Sequence, residues 1–394
     1  MSERFLLIHP NIYLSFLAAE VHSILQITKD TYLFETLAGK TISITETNPP
    51  LLTVLKTQRK TLDFLLSRSV LVSKALYIPE PSETTAAFFQ RQDNPQHTYR
   101  INVTSYTRKL SAAAKVTLME ELEPILGLRT ANLTQPQTII EIIETPTQTI
   151  TGILYQESQR KDLLQYSLKN RAFIGTTAMD NEISFILANL AQVIPQSIVL
   201  DCFAGTGSLL LPCAILGALV VGLDSNPKQY QGLTKPHQNP KIRTLQPGTN
   251  IYTNFHQFQV NHQVLCFGLA NIFSTPILRP TTIDAIICDP PYGRRESTNI
   301  NLPIPTPTTN HKTNTDSNDF YFDSAWPFVQ QLFQQAAICL KPNGFLCFFI
   351  PHANTNDLPV KMTNLDIFTE ICRCPQYLNS VYSRTAFVYQ KRTH

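Results

Sequence analysis

Charge is what this chain has least of. Charged residues make up 15% of its 394 positions, against about 25% in an ordinary globular protein. Asn, Gln, Thr and Pro fill the space. A formal net charge of +3 is too small to argue for a polyanion partner and too positive to argue against one. Cysteine is missing from the first 200 residues: all eight, Cys202, Cys213, Cys266, Cys288, Cys339, Cys347, Cys372 and Cys374, come later. They form no CxxC pair, and Cys372-Arg-Cys374 has the wrong spacing for a zinc knuckle, so the pattern offers neither a metal site nor a disulfide framework. Thiols within apolar runs behave as small hydrophobes, and a reduced, cytoplasmic protein is expected. Long apolar runs are missing too. "GFLCFFIP" (344–351) is too short to span a bilayer, and the opening "MSERFLLIHP" is too short and too polar for a signal peptide. A soluble protein with no membrane association is expected.

What is present is a chain long enough for two or three domains, with 43% hydrophobic residues to fill their cores. Over the first 150 residues short β-like runs alternate with helix-like ones. "RFLLIHP" reads as a strand and "NIYLSFLAAEVHSILQI" as an amphipathic helix with Leu14, Leu17, Val21 and Leu25 on one face. "TYLFETL" is a strand, "LLTVLKTQRKTLDFLL" a second helix, "VLVSKALYIP" a strand, and residues 81–96 a polar loop. "TYRINVTSY", the helix "SAAAKVTLMEELEPIL" and the strands "ANLTQPQTIIEIIET" and "TQTITGILYQES" complete an α+β region over 1–158 that carries no catalytic constellation. Residues 159–195 read as a linker and a helix, with Asp180 as N-cap and Ile183, Ile186, Leu187 and Leu190 as the buried face. From residue 196 to 394 a regular βαβ alternation predicts a doubly wound parallel sheet. "FVQQLFQQAAIC" is its late helix, followed by a Lys-Pro-Asn-Gly turn and the strand "FLCFFIP". "IFTEICRC" and "RTAFVYQK" form a closing antiparallel hairpin, and His352 is a turn residue. Residues 297–318, rich in Pro, Thr and Asn without periodicity, are a flexible insertion.

Two stretches carry chemistry. "SIVLDCFAGTGSLLL" is an apolar strand, an acid and a glycine turn opening a helix. Gly205 and Gly207 allow a tight turn and close approach of the backbone to a ligand. "ALVVGLD" then ends in Asp224, 19 residues after Gly205, where a carboxylate can accept both hydroxyls of a ribose. A nicotinamide-binding fold has the same outline. Asp201 discriminates, because an acid directly before the glycine turn would repel a pyrophosphate and suits the cationic amino-acid and sulfonium end of S-adenosylmethionine. "QVLCFGL" leads to Asn271, whose amide reads an adenine ring or simply closes a turn. The second stretch, "DPPYGRRE" (289–296), follows the apolar strand "AIIC". Asp289 and the Pro290 carbonyl can hold the hydrogens of an exocyclic base amine, Pro291 stiffens the turn, and Tyr292 offers a face for an extruded base. Arg294 and Arg295 reach phosphate or remain solvated.

The run "RAFIGTTAMDNEISFILANLAQ…IVLDCFAGTGSLLLPCAILGA…GLDSN…DAIICDPPYGRRE" resembles the eukaryotic tRNA guanosine-10 N2-methyltransferases, most specifically over residues 168–296. The resemblance implies a class I (Rossmann-like) methyltransferase domain behind an N-terminal THUMP-type RNA-binding region. It further implies S-adenosylmethionine as donor, tRNA as substrate and a small zinc-binding activator protein as partner. By motif position it places Asp201, Gly205 and Gly207 around the methionine moiety, with Phe203 and Thr206 of the same turn in the cofactor-binding set. Asp224 falls at the ribose and Asn271 beside adenine, where the family usually has Asp. Asp289, Pro290, Pro291 and Tyr292 match the catalytic tetrad, Asp289 also bordering the cofactor, and Gly293 completes the turn. Cys202 stands where the family commonly has Pro, and Pro212 falls early in the helix after the glycine turn. In the usual strand order "QVLCFGL" is the sheet's edge, and an apolar edge invites strand addition by the activator along 263–269. Arg59, Lys60, Arg108, Lys109 and Lys115 are candidate RNA contacts.

Overall fold

The computed structural model describes residues 2–42, 51–92, 94, 97–121, 123–126, 130–175, 178–227, 249–274, 277–291, 319–354, 366–380 and 382–393. The chain divides into two compact units, residues 1–162 and 163–394. Among the described residues no helix is long and apolar enough to cross a membrane.

In the first unit the strands are β1 (Glu3–Ile8), β2 (Leu33–Glu35), β3 (Thr41–Ile42), β4 (Leu52–Thr57), β5 (Lys74–Tyr77), β6 (Tyr99–Ser105), β7 (Thr138–Glu144) and β8 (Thr149–Glu157). They form one sheet in the order β3-β2-β4-β1-β5-β8-β7-β6, antiparallel throughout except for the β6–β7 pair. The helices are α1 (Leu14–Thr28), α2 (Arg59–Arg68), α3 (Thr85–Gln92), α4 (Ala112–Glu120) and α5 (Glu123–Leu126). α1 buries Leu17, Val21 and Leu25 as its spacing predicts, together with Phe16 and Ile24, but Leu14 lies at the margin, 36% exposed. Two expectations fail here. "LLTVLKT" is the strand β4, paired with β1 on one side and β2 on the other, and the helix starts only at Arg59. An apolar run lying directly against a helix of its own reads as one long helix, because a strand buried on both faces has no period to betray it. The polar stretch 81–96 contains α3, whose apolar anchors Phe88 and Phe89 are adjacent rather than a turn apart, and both are buried.

The second unit comprises α6 (Asn181–Leu190), β9 (Ile198–Asp201), α7 (Leu210–Ile215), β10 (Leu219–Asp224), α8 (Ile251–Gln257), β11 (Val264–Leu269), β12 (Ile283–Cys288), α9 (Asp319–Cys339), β13 (Leu340–Ala353), β14 (Phe368–Tyr377) and β15 (Tyr382–Lys391). The sheet order is β11-β10-β9-β12-β13-β15-β14. Strands β9 to β13 are parallel, and β15 enters antiparallel between β13 and β14. This is the expected class I methyltransferase sheet with its closing hairpin. Strand order reverses between β9 and β12, and a crevice at the carboxyl ends of strands belongs at such a switch point. Asp180 caps α6, its Oδ1 accepting from the N–H groups of Glu182 (2.9 Å) and Ile183 (3.4 Å), and the four predicted apolar residues of α6 are fully buried. Pro212 breaks nothing, because it lies in the first turn of α7, where a backbone N–H has no intrahelical partner to lose. The Lys-Pro-Asn-Gly turn is absorbed into β13 as an irregularity: Ile283 pairs with Leu340 and Ala285 with Phe345, and Asn343 adopts φ 63°. His352 is a strand residue, not a turn residue, with Nε2 3.0 Å from Thr385 Oγ1. α9 packs Leu332, Phe333 and Ala336 against Phe348, Phe387 and Tyr389 of the sheet, each such burial worth roughly 1.5–3 kcal/mol for the large side chains.

Candidate active site

Four strands of the second unit deliver polar groups to one edge of the sheet. β9 ends in Asp201, β10 in Asp224, β11 leads into the turn at Asn271, and β12 leads into Asp289. Parallel pairing sets Asp201 opposite Gly222, and the Cys202 N–H donates to Cys288 Sγ at 3.3 Å, tying the ends of β9 and β12. Gly222 has to be a glycine, since a Cβ there would lie 2.5 Å from the Phe267 ring.

Asp224 organises the glycine turn directly. Its Oδ2 accepts from the Gly205 N–H at 2.8 Å and its Oδ1 from the Asn226 N–H at 2.8 Å. The Ala204 N–H donates to Leu223 O at 2.9 Å. Gly205 and Gly207 adopt φ of +50° and +73°, the left-handed region that side chains disfavour. A Cβ at Gly207 would sit 3.1 Å from Ile251 and Phe255 of α8, whereas at Gly205, among the described residues, it would meet only the Phe203 carbonyl, at 3.8 Å. The turn is therefore packed on one side and open to close approach on the other. Thr206 and Ser208 hydroxyls lie 3.1 Å apart. Behind them the buried Arg171 donates to Ser208 Oγ and Asn181 Oδ1, both at 3.2 Å, and to Tyr166 O at 3.0 Å. Burial lowers the Arg171 guanidinium to about 10.

Asp201 is 1% exposed. Its Oδ1 accepts from the Phe203 N–H at 2.9 Å. Burial, seconded by repulsion from Asp224 and Asp289, pushes its carboxyl up to about 8 despite that hydrogen bond. Burial also raises Asp224, against the pull of three backbone N–H groups. A dry carboxyl beside two others, with an open glycine backbone in front, is a site that gains by receiving a cation and loses by receiving a pyrophosphate. These residues fit S-adenosylmethionine, as the sequence implies.

Phe203 meets Phe328 edge-on at 5.9 Å, and Phe273 meets the same ring at 5.4 Å. Asn271 is exposed and does close a turn: its Oδ1 accepts from the Phe273 N–H at 3.0 Å and its carbonyl from the Ser274 N–H at 2.8 Å. Gln335 of α9, fully buried, pins that loop by donating to Ile272 O (3.2 Å) and Ser274 O (3.3 Å) and accepting from the Ile277 N–H (3.3 Å). Asp289 is half-buried, Pro290 buried and Pro291 half-buried. Asp289 Oδ2 accepts from Arg384 Nη1 at 3.3 Å. Tyr292, Gly293, Arg294, Arg295 and the stretch 297–318 lie outside the described residues. Arg171, Gln335 and Arg384 escape a reading of the sequence because each joins a group far along the chain, Ser208, Ile272 and Asp289 lying 37, 63 and 95 positions away, and no local spacing encodes that.

Of the candidate RNA contacts, Arg59 forks onto Glu3 (2.7 and 2.9 Å), Lys60 meets Asp30 (2.9 Å) and Arg108 meets Glu144 (3.2 Å). Lys109 and Lys115 are exposed. Among the described residues no group of three metal-ligating side chains comes together.

The model of the RMKL-like methyltransferase domain family (UPF0020) matches residues 169–303, a span that holds the glycine turn and all four strand-end groups. The tRNA (guanine(10)-N(2))-methyltransferase TRMT11 of Gallus gallus is 31% identical over 320 residues, covering 75% of this chain and 67% of the relative. The Homo sapiens protein of the same name is 35% identical over 213 residues, 51% of this chain and 46% of the relative, so the alignment spans about half of that protein's length. Among solved structures, TrmN from Thermus thermophilus aligns over 99% of this chain and 100% of its own with a TM-score of 0.47 at 15% identity.

Proposed function

The chain belongs to the tRNA (guanine(10)-N(2))-methyltransferase family, and from that premise we propose that it transfers a methyl group from S-adenosylmethionine to the exocyclic N2 amine of guanosine 10 in tRNA. The observation that carries the reading is the convergence of Asp201, Asp224 and Asp289 on one sheet edge around the open glycine turn. When bound, S-adenosylmethionine supplies a methyl group on a positively charged sulfur, ready for in-line displacement. Asp201 and the Gly205–Gly207 backbone receive the amino-acid end, and Asp224 turns its carboxylate to the ribose hydroxyls. Asn271, exposed at its turn, presents its amide beside the adenine. The guanine amine is a poor nucleophile because its lone pair spreads into the ring. Asp289 and the Pro290 carbonyl accept its two hydrogens, which localises that pair; as the N–C bond forms the methyl–sulfur bond would break, its electrons staying on sulfur to leave S-adenosylhomocysteine, and Asp289 would take the amine's proton.

The first unit, in this proposal, is a THUMP-type RNA-binding region of a cytoplasmic enzyme, with Arg59, Lys60, Arg108, Lys109 and Lys115 as candidate RNA contacts. β11 ends the sheet, and Leu265 and Leu269 stand 53% and 61% exposed on it. An apolar edge of this kind supports strand addition along 263–269 by the small zinc-binding activator. The test is transfer from labelled S-adenosylmethionine to unmodified tRNA, with and without the activator, followed by nucleoside analysis. N2-methylguanosine at position 10 is expected, and label in any other nucleoside overturns the assignment. A protein that is monodisperse and fully active alone overturns the strand-addition proposal.

A further inference from the structure

We propose that Arg384 is the positioning residue of the methyl-transfer site: it holds Oδ2 of Asp289 and thereby fixes the orientation in which that carboxylate meets the substrate amine. The inference rests on the reading of Asp289 given above. Arg384 belongs to β15, opposite Pro351 of β13 and Gln376 of β14, and it is 9% exposed. Its guanidinium is fixed from four directions. Nε donates to Gln376 Oε1 at 2.7 Å, Nη1 to Asp289 Oδ2 at 3.3 Å and Nη2 to Met179 Sδ at 2.9 Å. The Phe349 ring lies 4.0 Å below its central carbon. A planar fork held on all its edges is preorganised as a lysine ammonium is not.

The Asp289 side chain keeps 24% of its exposure against 11% for that of Arg384, so the cation is the buried anchor and the carboxylate is the member of the pair that faces outward. Electrostatics points the same way. Asp201 approaches Asp289 from β9, with Asp224 acting on Asp201 from β10. Asp289 meets a guanidinium at 3.3 Å, and an opposite charge at that distance favours the ionised form that can take up the amine's proton. Arg384, from β15, is the opposing charge, while Cys288 precedes Asp289 on its own strand and Gln376 and Met179 touch the guanidinium without charge. The assignment also explains why β15 and the segment before α6, 205 positions apart at Met179 and Arg384, converge on this one side chain.

The test uses the full chain with its activator and compares R384Q, R384K, D289N and the D289N/R384Q double variant. In R384Q kcat falls roughly 10- to 100-fold, as when a group that orients a reacting ligand is lost, with KM for both substrates within about twofold. The acid limb of its kcat–pH profile moves to higher pH. R384K returns the limb toward its wild-type position but recovers only part of kcat. The double variant is no slower than D289N. An unmoved profile in R384Q, full activity in R384K, or additive losses in the double variant overturns the proposal. If R384Q does not fold, as judged by circular dichroism, R384M takes its place under the same criteria. Carbon-13 titration of the Asp289 carboxyl, assigned by its absence in D289N, is read without tRNA. It must titrate higher in R384Q than in wild type and return toward the wild-type value in R384K, and an unchanged titration in R384Q overturns the proposal. A wild type that methylates no tRNA while this titration shifts refutes the substrate reading and leaves the Arg384 assignment standing.

Discussion

The two units handle buried charge in opposite ways. The first neutralises it. Arg4, 5% exposed, forks onto Glu35 at 3.0 Å and onto the carbonyls of Thr36, Leu37 and Pro79 at 2.6–2.8 Å. Glu20, fully buried, accepts from the Ser69 hydroxyl and the Val70 and Leu71 N–H groups at 2.8–3.0 Å, and Glu141 receives Lys74 at 2.6 Å. The second unit crowds Asp201, Asp224 and Asp289 at one edge; Asp289 meets Arg384, but Asp201 and Asp224 are steadied by backbone N–H groups, and burial raises both. Paired charges give a scaffold. Charges held short of compensation give a site whose missing partner arrives as a ligand.

That contrast can be broken, and the largest blow falls on the site. Asp289→Ala lowers methyl transfer roughly 100- to 10,000-fold while S-adenosylmethionine still binds, as calorimetry would report; retained turnover removes Asp289 from the mechanism. Next comes the scaffold. Glu35→Ala leaves Arg4 buried without its carboxylate and costs about 3–5 kcal/mol. The chain's one tryptophan, Trp326, lies in α9 of the second unit, so its fluorescence transition should stay in place while the far-UV signal of the first unit melts earlier. A common shift of both would contradict the division.

Smaller and opposite in sign is Asp201→Asn. In wild type the folded carboxyl, raised to about 8, stays neutral while the unfolded chain ionises above about 4. The cofactor-free protein therefore loses stability as pH rises between those values. Asparagine keeps the acceptor for the Phe203 N–H and removes the penalty, so the variant melts higher than wild type at pH 8, by about a few degrees. The gap closes toward pH 4, and S-adenosylmethionine binds more weakly. A variant that melts lower at pH 8 shows Asp201 to be compensated after all. The mildest effect belongs to His9, buried between Leu71 O (2.7 Å) and Thr53 Oγ1 (2.9 Å) and lowered by burial to about 4. Its contribution is complete above pH 6.5 and is lost as pH falls toward 4. His9→Gln should flatten that acid dependence in the first unit's melting curve.

How much of this the sequence discloses also differs between the units. In the second, a parallel strand is a short apolar run closed by a polar residue, and the closing residues are the site itself, so Asp201, Asp224 and Asp289 stand out together with the strands that carry them. In the first, the antiparallel sheet gives no such punctuation: β4 merges with α2, and α3 hides behind two adjacent phenylalanines in a polar stretch. The second tier of the site is silent as well. Arg171, Gln335 and Arg384 are ordinary polar residues until the chain folds, and their meaning lies in contacts that only tertiary structure creates. Of the two readings of Asn271 the structure shows the turn: its Oδ1 and its carbonyl close it, and the residue is exposed.

The position of β15 bears on how the protein is made. Once β13 has been made, β9 to β13 have all their parallel partners, whereas β14 has no partner in the sheet until β15 follows it and slots between it and β13. Arg384 travels on that last strand. A nascent chain therefore displays a glycine turn and a strand-end carboxylate before Arg384, the counter-charge of Asp289, has joined the sheet.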